Sequence, residues 1–507
     1  LGRSIGGEPY VWRAERRGQF YSLPPGMTWW DVLRALTSVV ALVWYVLLWG
    51  VCILGYTVSK KLFEHSWPRS PLSSANAESV PGVSILRPLA GLDCNLFTNL
   101  CSTFEQRYPY DRYEVILSVR SADDQALGVA RRVQERYPHV SSTILVGDVE
   151  AGVNPKINNL VRSYAAAKYD IIWVVDSQVW LSSDAMGRAV DALTMPPTRP
   201  SPHWLHRVPH GHRVGLVHHV PLGVLPADTL ASHVERVFLS TTHAKMYLAI
   251  NAVAVDSCVM GKSNMYRKSD LERVPDTFFH YAQDAQSSIG SRAFDDHDVT
   301  HAESGALAHA RALARFGIYL AEDNMLALSL WRPPVQLAHR VSPGDVAQVA
   351  VGDINTLAEY AKRRMRWIRV RRHMVPMATY LEPFTESILA GVCGWYAVRV
   401  LLLNAIIHSP LQAWLACALF FSLHWAAWYY VDMSVLLALR HGEPLPEAEQ
   451  RYVFVAWCVR ELLAFPIWAW AMLGHTVTWR GRRYRILRDA RAAAAETDAA
   501  DASLLSD

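Results

Sequence analysis

Tyr169-Asp-Ile-Ile-Trp-Val-Val-Asp-Ser177 decides the fold class. Ile171–Val175 is an uninterrupted apolar run, too short for a buried helix and rich in β-branched residues, so it reads as a buried strand. It ends in Asp176-Ser177, where a ligand-facing carboxylate is expected. Working outward, Val83-Ser-Ile-Leu-Arg-Pro88, Tyr113–Val119 and Thr143–Val146 have the same character. Helix-length polar segments, Asp124 to Tyr137 and Ile157 to Ala167, lie between them. This alternation predicts a mainly parallel α/β sheet whose ligands bind beyond the carboxyl ends of the strands.

Farther out the chain turns apolar. Ala35–Val58 carries no charge, and at about 1.5 Å per residue it matches a hydrocarbon core of ~30 Å. It reads as a retained transmembrane anchor, closed by Lys60 and Lys61. Beyond Arg371-Arg372, Ser387–Ile407, Leu411–Val431 and Val453–Leu473 are again apolar and aromatic. Arg399 interrupts the first and Arg460-Glu461 the third, as expected of charges facing a bundle interior or a headgroup. The resulting plan is a tail (1–34), an anchor (35–58), a linker (59–79) and a catalytic domain (80–350). An interfacial helix region (351–385), membrane segments (386–478) and a basic, then disordered tail (479–507) follow. Two polar stretches, 196–212 and 283–312, read as solvated loop insertions. The positive-inside rule puts Arg480–Arg485 in the cytosol, and Lys60 and Lys61 favour the same side for the catalytic domain. Four full crossings would leave the N-terminus cytosolic too, which conflicts with the domain being there. One C-terminal segment is therefore expected to be re-entrant or interfacial, and Arg460-Glu461 points to the last.

Composition agrees with a water-facing domain joined to membrane segments. Of 507 residues, 51% are hydrophobic and 19% charged, against about 25% charged in soluble domains. A net charge of +4 gives no support to a nucleic-acid partner. The seven cysteines show no C-x-x-C spacing, which disfavours a zinc site or a disulfide framework and fits a reducing compartment.

Four clusters carry candidate chemistry: Asp123-Asp124 after the second strand, Asp176 after the fourth, Glu322-Asp323, and Arg363-Arg-Met-Arg366-Trp367. Strand-end aspartates suit a uridine and, through a hard divalent cation, its pyrophosphate. Asp323 suits a general base, and the Arg/Trp cluster a leaving phosphate and an acceptor. Each has a plainer reading. A strand-end Asp is often a turn or helix cap, Glu322-Asp323 could be acids at a helix start, and Arg363–Arg372 a basic helix on anionic lipid. The joint pattern is far more specific than any member.

That pattern resembles the ceramide glucosyltransferases. The matching runs are Val83–Asp93, Gly152-Val-Asn-Pro-Lys-Ile-Asn-Asn-Leu160, Tyr169–Ser177, Cys258-Val-Met-Gly-Lys-Ser263, Ala321-Glu-Asp323 and Arg363-x-x-Arg-Trp367, and the similarity covers roughly residues 81–485. The resemblance implies a GT-A nucleotide-sugar domain that transfers glucose from UDP-glucose to the primary hydroxyl of ceramide, with inversion. It implies that Asp123 or Asp124 and Asp176 bind the UDP part and its metal, and that Lys156 contacts the nucleotide. Asp323 would be the base, while Arg363, Arg366 and Trp367 line the acceptor side and the pyrophosphate. Glu322, His243 and Cys258 would lie near substrate, although a structural histidine and a small buried thiol are the plainer readings of the last two. It also implies a multi-pass protein of Golgi or endoplasmic reticulum membrane whose catalytic domain faces the cytosol. Asp176-Ser177-Gln178 lacks the second carboxylate of a D-x-D, so an Mg²⁺ or Mn²⁺ ion would be weakly held. The rival readings are a transferase with another lipid or polysaccharide acceptor and a non-catalytic lipid-binding membrane protein.

Overall fold

The computed structural model describes residues 28–195, 213–279, 301–479 and 481–495. Its centre is an eight-stranded sheet built from β1 (Val83–Leu89), β2 (Tyr113–Val119), β3 (Ser142–Val146), β4 (Ile171–Val175), β5 (Val179–Trp180), β6 (Val214–Val224), β7 (Ser263–Arg267) and β8 (Ala338–Ala350), in the order β3-β2-β1-β4-β7-β6-β8-β5. The four strands read from sequence form the parallel half: β1 pairs with β2 and β4, and β2 with β3. The other half is mixed, since β7 runs antiparallel to β4 and β6. Both faces are covered. Ile85 and Trp173 point into one core, Leu86 and Ile172 into the other, which is why these strands read as continuous apolar runs without alternation.

Helix α1 (Trp29–Phe63) begins earlier than the uncharged run, because Thr28 and Asp31 form a reciprocal capping box, and it continues past the run to Phe63. In the catalytic domain, α2 (Pro155–Ala166), α3 (Leu230–Phe238), α4 (Ala244–Val253) and α5 (Glu322–Trp331) frame the site. The Arg/Trp cluster lies on α6 (Leu357–Arg371). Three apolar helices follow: α7 (Ser387–Leu401), α8 (Pro410–Leu439) and α9 (Glu447–Met472). Three helices, α1, α8 and α9, are long and apolar enough to cross a membrane. The short one is α7. Its 15 residues reach about 22 Å at 1.5 Å each, less than a hydrocarbon core. Length therefore singles out the first C-terminal segment, where the sequence pointed to the last. Helix α9 nevertheless packs on α3 and α6, and Arg460 and Glu461 are buried, Arg460 2.6 Å from Glu386 and Glu461 accepting from the Ser387 hydroxyl at the start of α7.

Two other expectations change. Residues 196–212 and 283–300 lie outside the described residues, but His301–His309 and Arg311–Ala314 are helical, with Ala310 and Ala312 buried in the second core. The basic tail is folded as far as residue 495. Strands β9 (Thr476–Trp479), β10 (Arg482–Ile486) and β11 (Ala492–Ala494) form a small antiparallel sheet. Tyr484 and Ile486 bury beside Leu320 and Val370, and Arg491 bridges Tyr319, just before Glu322. The arginines of β10 alternate with these buried residues and stay exposed, which is how an arginine-rich segment can be a strand.

Candidate active site

Asp176 sits where β4 ends, and its backbone N–H donates to the Lys262 carbonyl (3.0 Å) as β7 begins alongside. Each carboxylate oxygen faces an ammonium: Lys156 Nζ is 2.8 Å from Oδ1 and Lys262 Nζ is 2.9 Å from Oδ2. Below them, fully buried Arg87 donates to the carbonyls of Ser177 and Val179, each at 3.2 Å, and so fixes the turn that follows Asp176. Burial alone would raise the Asp176 carboxyl, but the two lysines outweigh it and hold it well below the usual carboxylate range.

The second acidic group comes in from the other core. Asn154 caps α2, its Oδ1 accepting from the N–H of Lys156 (2.8 Å) and Ile157 (3.3 Å). Its Nδ2 donates to the Tyr319 carbonyl (2.7 Å) and to Glu322 Oε2 (2.8 Å), so one buried amide ties the start of α2 to the start of α5. The two backbones approach so closely that a Cβ on Gly152 would lie 2.5 Å from the Gly317 carbonyl carbon. Lys156 then bridges the groups, with Nζ 3.0 Å from Glu322 Oε1 and donating to the Gly261 carbonyl (3.0 Å). Asp323 lies against Gly261. Burial raises its carboxyl to about 6 and the Glu322 charge adds to this, against the pull of Lys156. A carboxyl shifted this way beside a cavity is suited to accept a proton near neutral pH. Lys156, Gly261, Glu322 and Asp323 all line that cavity.

Helix α6 is started by a capping box between Thr356 and Glu359. Its Arg363 donates from Nε to buried Glu235 (2.9 Å) and lies 5.1 Å over the Trp367 ring. The Arg363 charge reaches Lys262, where it joins burial in lowering that ammonium's pKa. Arg366 points elsewhere and lies 5.7 Å over the Trp479 ring of β9. Arg364, not singled out by the sequence, is buried 3.5 Å over the Phe238 ring.

The geometry thus gathers Asp176, Lys156, Glu322 and Asp323 closely, with Arg363 and Trp367 at the Lys262 side. Asp123 and Asp124 stand apart from it. Both oxygens of Asp124 accept from the Gly91 N–H (2.9 and 3.1 Å), and Oδ1 also accepts from Ala126 N–H. Asp124 therefore acts as a loop and helix cap, and Asp123 is exposed. Strand β1 separates β2 from β4, so the two strand ends stand two strand spacings apart, about 10 Å. His243 ends a π-helical turn, Leu239–His243, with its ring stacked 5.7 Å from Tyr247. Burial lowers its pKa to about 3, and the charges of Arg364 and Arg371 act in the same direction, so the ring is neutral. Cys258 is a free thiol pushed up to about 11 by burial, which makes it a poor nucleophile. Sequence reasoning passed over Lys262, Arg87, Asn154 and Glu235. Lys262 lay inside a run already noted for its resemblance, but nothing in its spacing announced a carboxylate partner 86 residues away.

A protein-built cation cage does not fit these residues. Ser177 donates its hydroxyl to Asp93 and cannot replace a second carboxylate as a ligand. Asp176 is held between two ammonium groups, and among the described residues no group of three or more His, Cys, Asp or Glu could hold a metal ion.

Residues 42–275 and 304–492 match the model of glycosyl transferase family 21. The ceramide glucosyltransferase of Komagataella phaffii is 35% identical over 485 residues, covering 89% of this chain and 90% of that protein. The ceramide glucosyltransferase of Pyricularia oryzae is 30% identical, covering 88% and 92%. Among solved structures, a mannosyltransferase from Pyrobaculum calidifontis aligns over 80% of this chain and 98% of its own at 16% identity and a TM-score of 0.39, too distant a likeness to build on.

Proposed function

We propose, from the premise that this chain belongs to glycosyl transferase family 21, that it is a membrane-held inverting enzyme transferring glucose from UDP-glucose to the primary hydroxyl of ceramide. The α/β sheet serves as its GT-A nucleotide-sugar domain. The observation that carries the reading is the pairing of Asp323, a buried carboxyl raised to about 6, with a strand-end cluster of Lys156, Lys262 and Arg363 in one place. A single displacement needs one base and one stabilised leaving group, and this is that set. The ceramide hydroxyl oxygen attacks the anomeric carbon from the side opposite UDP. Asp323 takes the hydroxyl proton, the bond from C1 to the phosphate oxygen breaks, and an α-linked donor yields a β-glucoside. The diphosphate leaves with its charge met by Lys156, Lys262 and Arg363. The residues present do not fit a cage for Mg²⁺ or Mn²⁺, and the charge of the leaving group falls to these side chains.

The helices supply the acceptor's phase. Ceramide stays in the bilayer, so the site has to open at headgroup depth. Helix α6 joins the catalytic domain to α7–α9, with Trp367 packed between Phe238 and the core. With α1, α8 and α9 as the crossings and α7 too short to span, the catalytic domain and the basic β9–β11 sheet fall on one side. The positive-inside rule makes that side the cytosol, where UDP-glucose is found. Golgi or endoplasmic reticulum membrane is the location this reading favours.

The direct test offers the full-length protein in nanodiscs a set of UDP-sugars and a panel of lipid acceptors, with products identified by mass. Glucose on ceramide is the expected product. Glucose on another lipid would move the acceptor assignment, and no transfer at all would refute the reading.

Two outcomes follow from Asp323. The ionised carboxylate is the working form, so kcat/KM should fall as pH drops through about 6, tenfold per unit below it, in a profile measured at saturating ceramide. A flat profile down to pH 5 would exclude a base with this pKa. Gly261 is the second handle. A Cβ there would lie 2.8 Å from Asp323 Oδ2, so Gly261→Ala should displace the base. We expect turnover at least about tenfold lower, with UDP binding by calorimetry within a few-fold of wild type.

A further inference from the structure

Lys262 has no role in the family resemblance, yet its setting is unusual. Its side chain is buried, with the residue 8% exposed, and lysine is rarely buried without a partner. Among the described residues its one ion pair is with Asp176, a carboxylate already paired with Lys156. Lys156 has Glu322 as a second anion. Two ammonium groups thus share one carboxylate, with the Arg363 charge close by. The backbone holds this arrangement in place. Val175 pairs with Ser263 across the β4–β7 ladder, and the Asp176 N–H donates to the Lys262 carbonyl, so the Lys262 backbone is fixed beside Asp176 at the end of that ladder.

Glu322 answers Lys156 and Glu235 answers Arg363, so the seat that Asp176 fills between the two lysines is the one an arriving anion can take. The two oxygens of Asp176, one against each lysine, present the same fork as two non-bridging oxygens of a phosphate. We infer that Lys262 is a diphosphate-binding residue: with Lys156 it forms a two-ammonium clamp on the donor's diphosphate, and Asp176 occupies that clamp when no donor is bound. The inference rests on the reading that this pocket takes UDP-glucose.

The test is a titration of the full-length protein in nanodiscs with UDP and, separately, with uridine, for wild type, Lys262→Met and Lys262→Arg. One charge-assisted hydrogen bond to a phosphate corresponds to about a 10- to 100-fold change in affinity. Lys262→Met is expected to lose that much for UDP while uridine binding stays within about twofold. Lys262→Arg, which keeps the charge, should recover part of the loss. Retained uridine binding also reports that the variant is folded. UDP binding by Lys262→Met equal to wild type would overturn the inference and leave the functional reading intact. Equal losses for UDP and uridine would also overturn it, by making Lys262 a structural residue. If wild-type protein bound neither, the functional reading itself would fail and take the clamp with it.

Discussion

Asp323→Asn is expected to turn over UDP-glucose and ceramide about 10²- to 10⁴-fold more slowly than wild type, the usual worth of a general base, with UDP affinity nearly unchanged. The substitution keeps the volume of the side chain beside Gly261 and removes its ability to take a proton. UDP affinity should hold because the cationic groups lie on Asp176 and Glu322, and no hydrogen bond or ion pair from their side chains ends on Asp323. A loss confined to kcat is the signature of a group that acts only in the transition state. Glu322→Gln makes the control. Glu322 receives Lys156 and Asn154, so its loss should disturb donor binding as well as rate. Near-normal turnover by Asp323→Asn would remove the base assignment, and the pH limb near 6 would then need another owner.

The parallel half of the sheet was legible because each strand holds a short run of consecutive apolar residues, Ile171–Val175 being apolar throughout. The antiparallel half was not. Strand β6 contains His218, His219 and Pro221, and β8 contains His339, Arg340, Gly344 and Asp345, so neither looks apolar. Some of their polar groups find partners distant in sequence, as when Asp345 accepts from Arg188 at 2.6 and 2.7 Å or Ser263 meets His219 at 2.9 Å. The same limit applied at the site. Asp176 and Asp323 could be found because strand ends and helix starts have local signatures. Asp124 has the identical signature and proves to be a cap, since side-chain geometry alone separates a ligand-facing carboxylate from one folded back on Gly91. Lys262 needed the β4–β7 pairing, which no local pattern encodes. The tail was misread for a physical reason too: four arginines outweighed the alternation of Tyr484 and Ile486, and only the apolar floor of Leu320 and Val370 makes that alternation matter.

The catalytic domain is locked to its membrane helices by a buried ion pair, and breaking it should have the largest effect on stability. Lys245 on α4 and Asp432 on α8 are both fully buried, with Nζ 2.7 Å from Oδ1. The Trp457 indole N–H of α9 donates to the other oxygen at 2.9 Å, and the ammonium lies 4.3 Å over the Trp428 ring. One carboxylate thus joins three helices, two of them long enough to span a bilayer. Removing one partner of such a pair strands a charge in an apolar setting and typically costs about 3–5 kcal/mol. We expect Asp432→Ala to unfold at a clearly lower temperature in nanodiscs than wild type at the same scan rate. The pair by itself need not be favourable, since desolvation consumes much of the Coulomb energy. The double variant Lys245→Met, Asp432→Asn leaves no stranded charge and keeps an acceptor for Trp457, so it should regain most of the lost midpoint. A single variant as stable as wild type would show that water or lipid reaches the pair. A double variant no better than the single would place the energy in the packing of α4 on α8 and not in the charges. Because α4 also carries Tyr247, whose hydroxyl meets His218 of β6, loosening this lock should lower transfer activity at temperatures well below unfolding, before any loss of UDP binding.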